Sequence, residues 1–361
     1  MNLPALMKRN MPHNGFNANV CLKFSGSVQN ALGFGKRKND ANTLETLLLA
    51  SMNNSYVENQ SSLVGISGQT VRNYLKDKDP DLLLHINKDL IATMRDTGRL
   101  AKPLIMAMDW HDEMYYCSLD AEGIIGTKNS RGTNYAYEYC SASVVIKGIR
   151  FVIAVIPVEQ RNILEMVSSL LDTITAHGIR IRLLLFDGGF YSIDLIRHLV
   201  AGRMEFIMHS PKLKRQCGDN ETDRIHTTGS HSRRKDQQAT FRLVSVYGRN
   251  RKGRILYTFA TNTDLQPKDV LRMFKKRWGI ETGYKMIRKF LAKTTSKRRN
   301  IRLLYFYLAV LLYNLWVLMN IISRVRIIAD VMKALVSASL IRTNPIVTAL
   351  IPSNSQSGGD F

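Results

Sequence analysis

The spacing of apolar residues changes twice along the chain, and each change marks a different kind of element. Near the start the spacing is helical. Thr43–Met52 predicts a short helix capped by Asn42 or Thr43. Tyr56–Asp77 predicts a short helix, a turn at Gly65 and a second helix from about Ser67, with Ser67 as its cap and Val71, Tyr74 and Leu75 inward. That is the layout of a helix-turn-helix and equally of an ordinary helical hairpin. From Lys102 the pattern becomes mixed α/β: an apolar strand Leu104–Met108 ends at Asp109, and Tyr135–Ile146 with Ile149–Pro157 reads as a hairpin turned at Lys147-Gly148. A helix follows from Asn162 to His177, stopped by Gly178, then a strand Ile179–Phe186 ending at Asp187, a helix Ser192–Val200 and a strand Glu205–Met208. His209 to Gln238 is polar and irregular and reads as a long loop or insertion. Strands return at Phe241–Tyr247 and Arg254–Thr261, and Pro267 opens a helix that runs on through Glu281. The order predicts an α/β fold, a mixed sheet flanked by helices.

The domain boundaries expected from this pattern are a flexible basic arm over 1–40, a helical region over 41–100, a catalytic domain over 101–324 interrupted at about 209–262, and a C-terminal helix and tail over 325–361. Charge adds a partner. Of 361 residues, 51 are Lys or Arg and 29 Asp or Glu, a net +22. Between Arg242 and Arg302 there are 18 basic residues against three acids. An excess of this size favours polyanions, double-stranded DNA above all. On that reading Gln69, Thr70, Arg72 and Asn73 face DNA from the second helix of the pair at 56–77. The four cysteines form no metal-binding pattern, and the first residues lack a secretory layout, so a reducing, cytoplasmic setting is expected, with the thiols buried. Leu303–Ile322 is apolar enough for a membrane span, but Asn314 and Asn320 interrupt it. A core helix, with no membrane partner, is the expectation.

Candidate chemistry centres on FKKRWGIETGYKMIR. On one continuous helix Phe274, Arg277, Glu281 and Arg288 would share a face, with Lys275 and Lys276 beside them, and the Phe274 ring and these cations are expected to face DNA. Asp109 and Asp187, at the ends of apolar strands, would emerge at the sheet edge where open α/β sheets place ligands. Three hard oxygen donors without His or Cys suit Mg²⁺ or Mn²⁺, in a site that takes two ions. Asp112, Glu113, Glu159 and Asp194 are neighbouring acids that spacing alone does not exclude, and any of these acids could instead be a cap or an exposed side chain.

IMAMDWHDEMYYC, LLLFDGGFYS and FKKRWGIETGYKMIR resemble the three acidic blocks of DDE transposases from bacterial and archaeal insertion sequences. The third is similar to the signature of their cut-and-paste group: Tyr, two residues, Arg, three residues, Glu, six residues, Lys. The resemblance runs from about Leu104 to Asn320. It implies a ribonuclease H-like fold, a β-rich insertion before the Glu-bearing helix, and Asp109, Asp187 and Glu281 as catalytic Mg²⁺ ligands. It further implies that Arg277 and Arg288 touch phosphates at the element's terminal inverted repeats, that the reaction is DNA cleavage and strand transfer into target DNA, and that the enzyme acts as a homodimer near the prokaryotic nucleoid. Three positions depart from the pattern. Phe274 stands for Tyr, Arg288 for Lys, and Gly188 for the Arg that many relatives carry. The alternatives are a DNA-binding protein without catalysis and a nuclease of the same fold without strand transfer.

Overall fold

The computed structural model describes residues 18–35, 37, 39–117, 120–130, 132–146, 149–210, 220–228, 238–250, 253–323 and 327–343, with backbone alone at 18–23, 149, 250, 278–282 and 338–343. Residues 1–17 of the expected arm, the Lys147-Gly148 turn, much of the loop before Gln238 and the C-terminal tail therefore lie outside the described residues, while the rest of that arm carries a helix, Ala18–Ala31, where a flexible segment was expected. The chain divides into two compact units, 1–93 with 286–361, and 94–285.

The first unit is helical. Its elements are α1 (Ala18–Ala31), α2 (Asp40–Asn53), α3 (Val57–Val64), α4 (Gly68–Leu75) and most of α5 (Leu82–Asp96). Helix α2 starts before the expected Thr43. The buried Asp40 carboxylate accepts the backbone N–H of Gly35 at 2.8 Å and of Arg37 at 2.9 Å, which organises the entry loop. The helix-turn-helix pattern holds as spaced. Gly65 ends α3 with φ 76°, a conformation that suits glycine. Ser67 Oγ then accepts the Thr70 N–H at 3.0 Å to start α4, and Val71 and Leu75 are fully buried. The apolar helix runs from Arg299 to Ser323 and belongs to this unit, followed by a helix from Ala329 to Thr343. Arg299–Ser323 is the one helix among the described residues long and apolar enough to cross a membrane, and most of that stretch is buried. Its interrupting Asn314 donates to Asn87 Oδ1 at 2.7 Å, so a buried amide finds its partner inside the protein.

The second unit carries one nine-stranded sheet. Its strands are β1 (Leu104–Met114), β2 (Ile125–Ser130), β3 (Thr133–Ile146), β4 (Ile149–Val158), β5 (Ile181–Phe186), β6 (Phe206–His209), β7 (Thr222–Thr228), β8 (Ala239–Asn250) and β9 (Gly253–Thr261). The order is β2-β3-β1-β5-β6-β9-β8-β7, with β4 also paired to β3. β1, β3 and β4 form an antiparallel meander, and β5 and β6 lie parallel to β1. Helices α6 (Ile163–Ala176) and α7 (Ile193–Ala201) connect these strands, capped by the side chains of Asn162 and Ser192. The β-rich stretch before the Glu-bearing helix joins the same sheet through β9 on β6, continuing its hydrogen-bonded ladder.

Two strands differ from expectation. β2 was not anticipated, and β7 falls inside the supposed loop. β7 reads TDRIHTT, with Ile225 71% exposed, so it lacks the alternation of apolar residues by which a half-buried strand is recognised. The expected continuous helix also breaks. Pro267–Lys275 is α8, Lys276–Trp278 a 3-10 turn, and Gly279–Arg288 is α9. Phe274, Arg277, Glu281 and Arg288 therefore do not share one unbroken helical face.

Candidate active site

On β1, β5 and β6 the inward alternation reads Ile105 and Ala107, Leu183 and Leu185, and Ile207; α8 covers this face with Val270, Leu271 and Phe274. The strands run in register, with Met108 beside Phe186 and Phe186 beside Met208. One step further along each strand stand Asp109, Asp187 and His209. Period-two alternation puts these three positions on the face that α8 covers, just past the apolar layer. The sequence leads to the two aspartates. His209 was missed, although the alternation in FIMH places it at the same step.

Asp109 is not at a strand end. β1 continues to Met114 because the long strand β3 still supplies ladder partners where β5 has stopped; Asp109 lies opposite Ser141. Only 7% of Asp109 is exposed. Asp187 does end its strand, and its Oδ1 accepts the Gly189 N–H at 2.8 Å, capping a short 3-10 turn. Gly189 has little room for a side chain. A β-carbon there would lie 3.1 Å from both Asp187 Oδ1 and the Trp110 indole nitrogen.

The 3-10 turn after α8 delivers Arg277 to this layer. Its buried guanidinium lies 3.4 Å from Asp109 Oδ1, with side-chain exposures of 6% and 10%. Phe274, expected to face DNA, is a core residue instead: it is 2% exposed, with its ring centroid 5.5 Å from that of His209 and 5.0 Å from that of Phe259. Replacing a tyrosine by phenylalanine suits a ring packed in this way, because no hydroxyl needs a partner. Burial, then the nearby Arg277 charge, lowers the His209 pKa, and Asp187 opposes the shift. Burial, then Asp109, Asp187 and Glu138, pushes the Cys140 thiol well above its ordinary range. Cys140 is thus a neutral thiol beside two carboxylates, while Cys117, expected to be buried, is exposed just beyond β1.

Helix α9 rests on the second half of β1. The Tyr284 hydroxyl donates to the Asp112 carbonyl at 3.1 Å, and its ring stacks on His111 with centroids 4.2 Å apart. Glu281 lies between Arg277 and Tyr284 in the chain, and its side chain is outside the described residues. Of the neighbouring acids, Asp112 faces Glu138 across the ladder, and Arg161 Nε donates to Glu138 at 3.1 Å. Asp194 pairs with Arg197 on α7.

The remaining expected DNA contacts are dispersed. Lys275 Nζ is 3.5 Å from the Arg249 carbonyl, and Lys276 is exposed with its carbonyl bonded by Arg150. Arg288 falls in the first unit, where its carbonyl accepts from Asn54 at 3.0 Å. On α4, Gln69 and Asn73 are exposed and bonded to each other at 3.1 Å. Arg72 joins Gln69 Oε1 at 2.8 Å and Glu58, and Thr70 Oγ1 lies 2.8 Å from Ser67 Oγ.

The donor chemistry here fits a hard divalent cation. Two carboxylates stand at one register step, and a guanidinium already balances Asp109. Among the described residues no three His, Cys, Asp or Glu side chains form a complete ion site. Glu281 is not among those side chains.

A meander followed by two parallel strands, flanked by helices, is a ribonuclease H-like fold. A cryo-EM structure of piggyBac transposase in a synaptic complex with hairpin DNA is similar, with TM-score 0.56 at 12% identity, covering 98% of this chain and 78% of that chain. The profile of the transposase DDE domain matches residues 128–315, more than half of the sequence, and the chain belongs to that family. The matched span contains Asp187 and Glu281 and begins after Asp109, which the strand register brings beside Asp187. No curated protein sequence matches the chain.

Proposed function

We propose that this chain is a DNA transposase that cleaves the ends of its element and joins them to target DNA, with Asp109, Asp187 and Glu281 as the carboxylates that hold Mg²⁺ or Mn²⁺. One observation carries the reading. Asp109 and Asp187 stand at the same step of neighbouring parallel strands, and the segment bearing Glu281 is anchored to β1 on both sides, by Arg277 at Asp109 and by Tyr284 at Asp112. Helical spacing places positions 281 and 284 side by side on α9, the helix that Tyr284 fastens to this strand. When bound, two divalent ions supply charge stabilisation at phosphorus and activation of the attacking hydroxyl. The chain's part is to fix the carboxylates and to bring a guanidinium to the site. Arg277, already beside Asp109, is placed to meet a phosphate that reaches the carboxylates. DNA as substrate is supported by family membership, by the net +22, and by the DNA held in the similar piggyBac complex. A homodimer remains part of this proposal, as do α4 as a DNA-reading helix and action near the nucleoid.

The decisive experiment compares cleavage of DNA carrying the element's ends by the unaltered chain and by Asp109→Asn, Asp187→Asn and Glu281→Gln. Each change should lower Mg²⁺-dependent cleavage by about a thousandfold or more while DNA binding persists, in keeping with removal of a ligand from a two-ion site. Cleavage that survives all three changes would sink the assignment.

A further inference from the structure

The residues that hold α9 against β1 make a continuous path to the strand position opposite Asp109. Tyr284 stacks on His111 at an interplanar angle of 23° with centroids 4.2 Å apart, and its hydroxyl reaches the Asp112 carbonyl at 3.1 Å. His111 Nε2 lies 2.5 Å from Ser141 Oγ. Ser141 is the ladder partner of Asp109, and His111 follows Asp109 by two residues, on the same face of the strand. His111 and Ser141 are each 2% exposed. The imidazole and the serine hydroxyl are therefore shielded from water, with Tyr284 half-buried beside them, and a buried polar pair of this kind defines a geometry sharply.

We infer that Tyr284, His111 and Ser141 form a positioning clamp that sets how far the helix bearing Glu281 stands from the strand bearing Asp109, and thereby how tightly a divalent ion is held. This rests on the function proposed above. Three features separate a clamp from ordinary packing. The contacts reach the helix one turn after Glu281, they end at the residue facing Asp109, and they combine a directional hydrogen bond with a stacked ring. Groups behind ligands commonly govern metal affinity in this way, because a ligand displaced by a fraction of an ångström loses its share of the ion.

The test uses the full chain with Mn²⁺ alone as the probe, read by electron paramagnetic resonance, beside melting curves and amide exchange across 279–288 without metal. Tyr284→Leu removes ring and hydroxyl and should weaken Mn²⁺ binding about tenfold, within the range typical of residues behind a ligand. It should also speed exchange in α9. Tyr284→Phe keeps the stack and should recover most of that affinity. Ser141→Ala, which removes the hydroxyl that meets His111 with little change of volume, should weaken Mn²⁺ in the same direction by about threefold. Should Tyr284→Leu fail to fold, Tyr284→Phe combined with Ser141→Ala carries the test by the same measure. Affinity within about twofold of the unaltered chain in Tyr284→Leu, or in the Tyr284→Phe and Ser141→Ala combination that stands in for it, overturns the clamp, whatever happens to the melting temperature. Asp109→Asn and Glu281→Gln serve as controls. If those also leave Mn²⁺ binding intact, the functional reading has failed; if they abolish it and the clamp variants do not, only the clamp has failed.

Discussion

Arg277 and Asp109 form a buried pair at 3.4 Å in which each side chain is about nine-tenths shielded. Removing one partner of such a pair leaves the other charged and poorly solvated, which costs more than the pair itself contributes. Arg277→Leu should therefore destabilise the chain by about 3 kcal/mol in metal-free buffer. Part of that loss should return on adding Mn²⁺, since an ion at Asp109 would replace the missing charge and bind only the folded state. Melting curves with and without Mn²⁺ check this, and a deficit indifferent to the ion would place the cation elsewhere. Spacing singles out Arg277, yet it could not show that the guanidinium turns inward to a carboxylate 168 residues earlier. His209 escaped notice for a related reason. A histidine after an apolar run is unremarkable until two neighbouring strands place aspartates beside it.

At the scale of elements, α3 and α4 were legible almost to the residue because their signals are local. Gly65 supplies a left-handed turn, Ser67 a cap, and Val71 and Leu75 the buried face. Ser67→Ala should cost about 1 kcal/mol, and Ser67→Asp should restore most of it, as urea unfolding midpoints would show. The segment from Pro267 to Arg288 was less legible. Its periodicity is helical throughout, and only its contacts explain the 3-10 turn that breaks it: Phe274 is sealed into the core while Arg277 reaches Asp109. β7 was invisible for the opposite reason. It is held by backbone pairing to β8 and carries no apolar pattern of its own.

For the whole molecule, charge is the property with consequences. A chain of net +22 that covers DNA phosphates releases their counterions, so its affinity must fall steeply with salt. Binding to a duplex should weaken about a thousandfold between 50 and 200 mM salt, corresponding to roughly six neutralised phosphates. A titration showing a shallow dependence would remove the basic surface from the binding account.

The sequence by itself determined the class of fold, the helix pair α3 and α4 with its turn at Gly65, and the cap at Ser67. Each of these depends on spacing within a short window, where dihedral preference and the burial of one face decide the outcome. Only the tertiary structure decided which strands are neighbours, that Asp109 lies within a strand rather than at its end, that Phe274 belongs to the core, and that Tyr284 and His111 fasten α9 to β1. Those facts arise from ladder register and side-chain packing between segments far apart in the chain, and no local pattern encodes a distance between them.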